Sequence, residues 1–151
     1  LNQNLNIITD VQQFDCLSEA ARQTSSEIRK INLMKKAVKL YKGPIFRGAQ
    51  DEHWIISQVT LYRLRYVSLV NDLLCALAEL HDYTCVQHYA MSAVELMPGN
   101  LKAHYWLVAS TYHLGSVELA KNELHRAKVI LTPEEYSIVE EYLKKDEDIS
   151  W

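Results

Sequence analysis

The sequence predicts an all-α protein of about seven helices, folded as antiparallel hairpins stacked on one another. Three observations carry this prediction. The 151 residues contain only four Gly and three Pro, all near predicted turns or ends, which is little turn chemistry for a sheet protein. Apolar residues recur at three- and four-residue steps along most of the chain, the period of an amphipathic helix. The third observation is a unit written twice between Val70 and Pro133. A shift of thirty-five residues places Val70, Leu73, Leu74 and Leu77 on Tyr105, Val108, Ala109 and Tyr112, and Leu80 on Gly115. The same shift places Cys85, Tyr89 and Ser92 on Ala120, Leu124 and Ala127, and Pro98 on Pro133. A period of this size marks stacked helical hairpins. The small residues let the second helix of each hairpin approach the first, with Tyr89 or Leu124 filling the gap.

In chain order, residues 1–8 read as an extended, Asn-rich lead-in with Leu5, Ile7 and Ile8 as anchors. The chain starts without Met, so it is expected to belong to something longer. Thr9 and Gln12 form a capping-box pair, opening a first helix to about Gln23 with Val11, Phe14, Leu17, Ala20 and Ala21 on one face. Thr24 and Glu27 form a second such pair. The helix behind them runs to about Lys42 and buries Ile28, Ile31, Met34, Val38 and Tyr41 before Gly43-Pro44 stops it. Ile45 and Phe46 are expected to tuck under this hairpin. Asp51 caps a third helix of about thirty residues, ending near His81, with Trp54 near its start. Its stripe of Ile55, Val59, Tyr62, Tyr66, Val70, Leu73, Leu77 and Leu80 is the strongest helical pattern in the chain. The fourth helix spans about Tyr83 to Met97, and Asn100 caps a fifth from Leu101 to about Leu114. Gly115 ends the fifth, Ser116 caps the sixth, and Thr132-Pro133-Glu134-Glu135 opens a seventh that covers the open end of the stack. Asp146-Glu147-Asp148 is expected to fray into solvent.

The net charge of −3 and the pI near 6.1 speak against direct contact of this chain with nucleic acid. The charge is uneven: residues 1–47 carry eight Lys/Arg against four Asp/Glu, and residues 48–151 carry eight against fifteen. The basic excess, largely on Arg29, Lys30, Lys35, Lys36, Lys39 and Lys42, reads as a solvated helix face, with a partner-binding patch as the minority reading. Cys16, Cys75 and Cys85 make no CxxC pair and are odd in number, which suits apolar fillers in a reducing compartment. There is no signal-peptide pattern at residues 1–9 and no run of about eighteen apolar residues, so a soluble, cytoplasmic chain without a membrane span is expected. No nucleophile, zinc-protease or phosphate-loop motif recommends an enzyme, and no cofactor is implied. His81, Cys85 and His88 have helical ligand spacing, but a predicted helix break at Asp82 and a core role for Cys85 argue against a metal site.

Two resemblances follow from these residues. Aromatic-x-x-apolar-small-x-x-aromatic, a turn, then small-x-x-x-bulky-x-x-small and a late proline resembles a tetratricopeptide repeat. More widely, Asp10-Val11-x-x-Phe14, Ala37-Val38-x-Leu40-Tyr41-x-Gly43-Pro44, Ile45-Phe46 and the downstream Trp54 resemble the bacterial transcriptional activator domain of SARP-type regulators. This resemblance spans about Asp10 to Leu131. It implies a short right-handed superhelix over residues 10–151, with residues 1–9 leading in from an upstream winged-helix DNA-binding domain. It also implies a role in self-association or in contact with the transcription machinery. Gly99-Asn100 stand where related domains often carry an acidic residue after the proline.

If the hairpins stack as such repeats do, the first helix of each lines a concave groove. Residues one and five places after the leading core position would face it: Asn71 and Cys75 in one unit, Trp106 and Ser110 in the next, with Ala78 and His113 a turn further on. Arg65 and Lys102 would lie near the rim. The candidate partner contacts are therefore Arg65, Asn71, Lys102, Trp106, Ser110 and His113. Trp106 either anchors a partner in the groove or packs on the last helix near Tyr136. The expected function is a non-catalytic interaction and dimerisation domain of a DNA-binding transcription regulator. The alternatives are a ligand- or peptide-sensing domain that controls attached DNA binding, and a general helical-repeat adaptor.

Overall fold

The computed structural model describes the backbone of residues 2–41 and 53–151, and the side chains of residues 10–41 and 57–151. Among them are seven α-helices: α1 (Asn2–Gln23), α2 (Glu27–Leu40), α3 (His53–Glu79), α4 (Tyr83–Leu96), α5 (Leu101–His113), α6 (Val117–Ile130) and α7 (Pro133–Lys145). There is no strand among the described residues. The chain forms two compact units, residues 1–76 and 77–151, with the boundary inside α3. The expectations for Ile45, Phe46, the Trp54 side chain and an Asp51 cap fall outside the described residues.

In the first unit α1 and α2 pack as a hairpin. The helix starts at Asn2, where an extended lead-in was expected, and Thr9 lies inside it. The spacing explains the difference: Leu5, Ile8 and Val11 extend the three-residue step of Phe14 backwards, and a capping signal is only a local preference that a continuing helix overrides. The cap of α2 is Ser26, not Thr24; its hydroxyl accepts from the Arg29 N–H, while Thr24 Oγ1 accepts from the Ser26 N–H at 3.3 Å. Ile31, Met34, Ala37 and Val38 are buried on α2, but Ile28 is 71% exposed, so the packed face begins only at Ile31. The centre of this unit is aromatic. Phe14 is buried between Tyr41, at 6.4 Å, and the edge of Tyr62, at 6.1 Å, and Tyr41 stacks on Tyr66 at 4.3 Å.

In the second unit α5 is the central helix, packing against α4, α6 and α7. It therefore buries more of its circumference than a single stripe: Ala103, His104, Leu107, Val108, Ala109, Ser110 and Thr111 are all buried. The polar members are satisfied. His104 Nε2 bonds the Pro98 carbonyl at 2.7 Å, and since a carbonyl only accepts, that nitrogen carries the proton. Gln87 Nε2 donates to Thr111 Oγ1 at 3.1 Å. Beyond α5, Val108, Ala120, Ala127, Leu131, Val139 and Leu143 form one cluster across α5, α6 and α7.

The structure corrects the repeat register by one residue. Helices α4 and α6 begin at Tyr83 and Val117 and end at Leu96 and Ile130, in each case 34 residues apart. The buried set Val86, Ala90, Ala93 of α4 then falls on Ala120, Leu124, Ala127 of α6. Leu69, Val70, Leu73, Leu74 and Leu77 of α3 fall on Ala103, His104, Leu107, Val108 and Thr111 of α5, and all ten are buried. The helix ends agree. His81, at φ 56°, and Gly115, at φ 96°, close α3 and α5 in the left-handed conformation. In the first, His81 N–H donates to Ala78 O and Asp82 N–H to Leu77 O; in the second, Gly115 N–H donates to Tyr112 O and Ser116 N–H to Thr111 O. Aligning Pro98 with Pro133 misled, because they do different jobs. Pro98 precedes the turn into α5, whereas Pro133 is already the first residue of α7. The correction turns Leu80 out of the α3 stripe, and it is 56% exposed.

Helix α7 opens with a complete capping box: Thr132 Oγ1 accepts from the Glu135 N–H, and Glu135 Oε2 accepts from the Thr132 N–H at 3.0 Å. Thr132→Ala removes one half of it and should lower stability by about 1 kcal/mol, read as a urea midpoint shift.

Candidate functional site

The six side chains expected at a groove do not form one constellation. Arg65 belongs to the first unit, where its guanidinium pairs with Asp15 at 2.9 Å and lies over the Tyr62 ring at 5.2 Å. Tyr62 Oη donates to the other Asp15 oxygen at 2.6 Å, so Arg65 fastens α3 to α1. Asn71 is half-buried on α3. Lys102 is exposed in the first turn of α5. Ser110 is fully buried, and its hydroxyl donates to the Leu107 carbonyl, which leaves it no surface to offer a partner. His113 is half-buried and stacks on Tyr83 at 4.2 Å, with 14° between the ring planes.

Trp106 is half-buried and meets Tyr105 edge-on at 4.8 Å. The cluster that ties α5 to α6 and α7 is completed by Leu101, Tyr105, Tyr112, Leu124, Tyr136 and Ile149, and does not include it. The aromatic contact from α5 to α7 is made instead by Tyr105, against Tyr142 at 6.0 Å.

The corrected register moves the expected groove positions. With His104 as the counterpart of Val70, the residue one place on is Tyr105, equivalent to Asn71; the residue five places on is Ala109, equivalent to Cys75 and fully buried; and the residue a turn beyond that is Tyr112, equivalent to Ala78. Both tyrosines are engaged by the segment after α7. Tyr105 Oη donates to Asp146 Oδ2 at 2.6 Å. Tyr112 Oη donates to the Ser150 carbonyl at 2.9 Å and accepts from the Ser150 N–H at 3.3 Å. The Trp151 ring meets Tyr112 edge-on at 5.6 Å, and Ile149 packs against the core cluster. Asp146–Asp148, expected to fray, is thus held: Asp146 Oδ1 accepts from the Asp148 N–H, and its carbonyl accepts from the Ile149 N–H.

Neither the tyrosine pair nor this segment stood out as a site in the sequence. The tyrosines read as core, and the segment read as a charged end. The available signal was Ile149 and Trp151, two large apolar residues directly after an acidic run. Their neighbourhood is visible at Tyr83, whose hydroxyl burial pushes above the ordinary tyrosine range, with the charges of Asp148 and Asp146 adding to the shift.

His81, Cys85 and His88 do not share a helix, since His81 is the left-handed residue after α3 and α4 starts at Tyr83. Among the described residues no group of three or more His, Cys, Asp or Glu is placed to hold a metal ion, and no helix is long and apolar enough to cross a membrane. A cleft of about 180 Å³ in the first unit is lined by Asp15, Arg22, Lys30, Met34, Arg65 and Asp72, among others. It is smaller than the roughly 300–1,000 Å³ of most small-molecule sites.

In comparison with known families, a family model described as the bacterial transcriptional activator domain aligns with residues 9–135. No curated protein and no solved structure matches the chain.

Proposed function

The chain belongs to the bacterial transcriptional activator domain family, and on that premise we propose that it is the interaction module of a cytoplasmic transcription regulator. In this reading it self-associates, presents a protein surface to the transcription machinery and performs no chemistry. Trp106 is the observation that supports this best. A large aromatic side chain stays partly exposed on the central helix and is not among the residues of the cluster that joins α5, α6 and α7. Such residues are the usual anchors of protein interfaces. Charge adds to it. Residues 1–76 carry ten Lys/Arg against seven Asp/Glu, and residues 77–151 carry six against twelve. Opposite net charges on the two units of one chain favour the encounter of two copies.

Trp106→Ala should leave the denaturation midpoint nearly unchanged and weaken self-association by roughly 2 kcal/mol or more, as loss of an aromatic anchor does. Sedimentation equilibrium and urea denaturation on the same variant check this. A stability loss of about 3–5 kcal/mol would instead make Trp106 a core residue. The 151-residue chain alone should not bind duplex DNA, because duplex affinity comes mainly from neutralising phosphates and the net charge is −3. Salt-dependent micromolar binding to random duplex in a fluorescence titration would contradict this.

A further inference from the structure

We infer that the Tyr105–Tyr112 face of α5 is a docking surface for a short acidic-aromatic peptide, and that residues 146–151 occupy it in cis. The ligand class is written in the segment that already sits there. A carboxylate takes the Tyr105 hydroxyl, an apolar side chain three residues on packs beside the helix, and a Trp five residues on meets the Tyr112 ring. Tyr112 supplies the register, because its hydroxyl bonds both the N–H and the carbonyl of Ser150. Bonding the Ser150 backbone twice reads the chain there irrespective of its side chain, whereas the two ends are read by charge and by ring. Two hydroxyls seven residues apart on one helix lie on the same face, two turns from each other.

The contact has the character of a reversible one. Trp151 remains 49% exposed, and both bonds to Ser150 are solvent-exposed. Helix α7 does not depend on the segment beyond Asp146, since its own end is closed by the Asp146 N–H donating to Leu143 O. Release would uncover the two tyrosines for a partner segment bearing the same acid, apolar and aromatic groups. The tether gives the cis segment a high effective concentration, so a partner in trans has to be abundant or to bind more tightly.

This inference rests on the interaction-module reading and is tested separately from it. The probe is a fluorescein-labelled peptide of residues 144–151, Lys-Lys-Asp-Glu-Asp-Ile-Ser-Trp. The unmodified chain should bind it weakly. A release variant carrying Ile149→Ala and Trp151→Ala should bind it at least tenfold more tightly in fluorescence anisotropy. Adding Tyr105→Phe and Tyr112→Phe should abolish that gain while keeping both rings. No gain in a release variant that keeps its helical circular dichroism, or a gain that survives loss of both hydroxyls, overturns the proposal. Exchange of the segment between two copies would appear as a dimer lost in the release variant with no peptide uptake, and that also overturns it. Hydrogen exchange on the unmodified chain supplies an arm that needs no variant. The Ile149 and Ser150 amides should exchange at least a hundredfold faster than those in the interior of α5. Exchange at the α5 rate would make the segment a fixed part of the core and contradict the inference. If the peptide fails to bind while Trp106→Ala still weakens self-association, the docking proposal falls and the interaction-module reading stands.

Discussion

Phe14→Ala should destabilise the chain by about 3–5 kcal/mol, the cost of removing a buried aromatic ring from a core that cannot close over the space. The ring is 1% exposed and touches two others, Tyr41 from the end of α2 and Tyr62 from α3. It therefore holds three elements together. Neither neighbour is free to collapse into the gap. Tyr41 is stacked on Tyr66, and Tyr62 is tied through its hydroxyl to Asp15. A urea titration followed by far-ultraviolet circular dichroism measures the loss. A cost below about 1 kcal/mol would mean that the aromatic centre is not what holds α1 in place.

The same centre should make the protein sensitive to alkali. Burial is the main cause that pushes the Tyr66 hydroxyl up to about 12, with the nearby Tyr41 adding to it. Tyr62 also rises to about 12, first through burial, then through its bond to Asp15 and that carboxylate's charge, with Arg65 opposing. Once unfolded, both return to about 10. The folded state therefore holds these protons more tightly than the unfolded one. Their contribution is fully present below about pH 10 and is lost as the pH rises toward 12. Tyr66, fully buried, accounts for about 2–3 kcal/mol over that window, since one pKa unit corresponds to about 1.4 kcal/mol, and Tyr62 for less, because water screens the half-exposed Asp15 and Arg65 beside it. Urea midpoints taken between pH 8 and pH 11.5 should fall steeply above pH 10. In Tyr66→Phe the fall should shrink by more than half. That variant should cost little at neutral pH, because the Tyr66 hydroxyl is buried without a hydrogen-bond partner among the described residues. A flat midpoint up to pH 11.5 would contradict the burial of both hydroxyls.

Much of this fold was legible in the residues. The 3.6-residue period fixed six helices to within about two residues, because each has an amphipathic face and a strong terminal signal such as Asp82, Asn100, Ser116 or Thr132. The errors came where two local signals competed. Thr9-x-x-Gln12 looked like a helix start, yet the apolar spacing continued through it. Thr24 and Ser26 can both cap α2, and geometry chose the later one. Two prolines thirty-five residues apart were more conspicuous than the buried small residues thirty-four apart, and the register slipped by one. That slip carried into the candidate site. It placed Ser110 in a groove although it is buried, and passed over Tyr105 and Tyr112. The segment that covers them was invisible for a different reason. Its two anchors lie after an acidic run, and no periodicity links an irregular segment to the helix it packs on.

Self-association of the unmodified chain is the most direct test of its assignment as an interaction module. Sedimentation velocity over a wide concentration range should show a monomer giving way to a dimer as concentration rises, with the dimer population falling in Trp106→Ala. A single monomeric species at every concentration, identical in the two proteins, would contradict it.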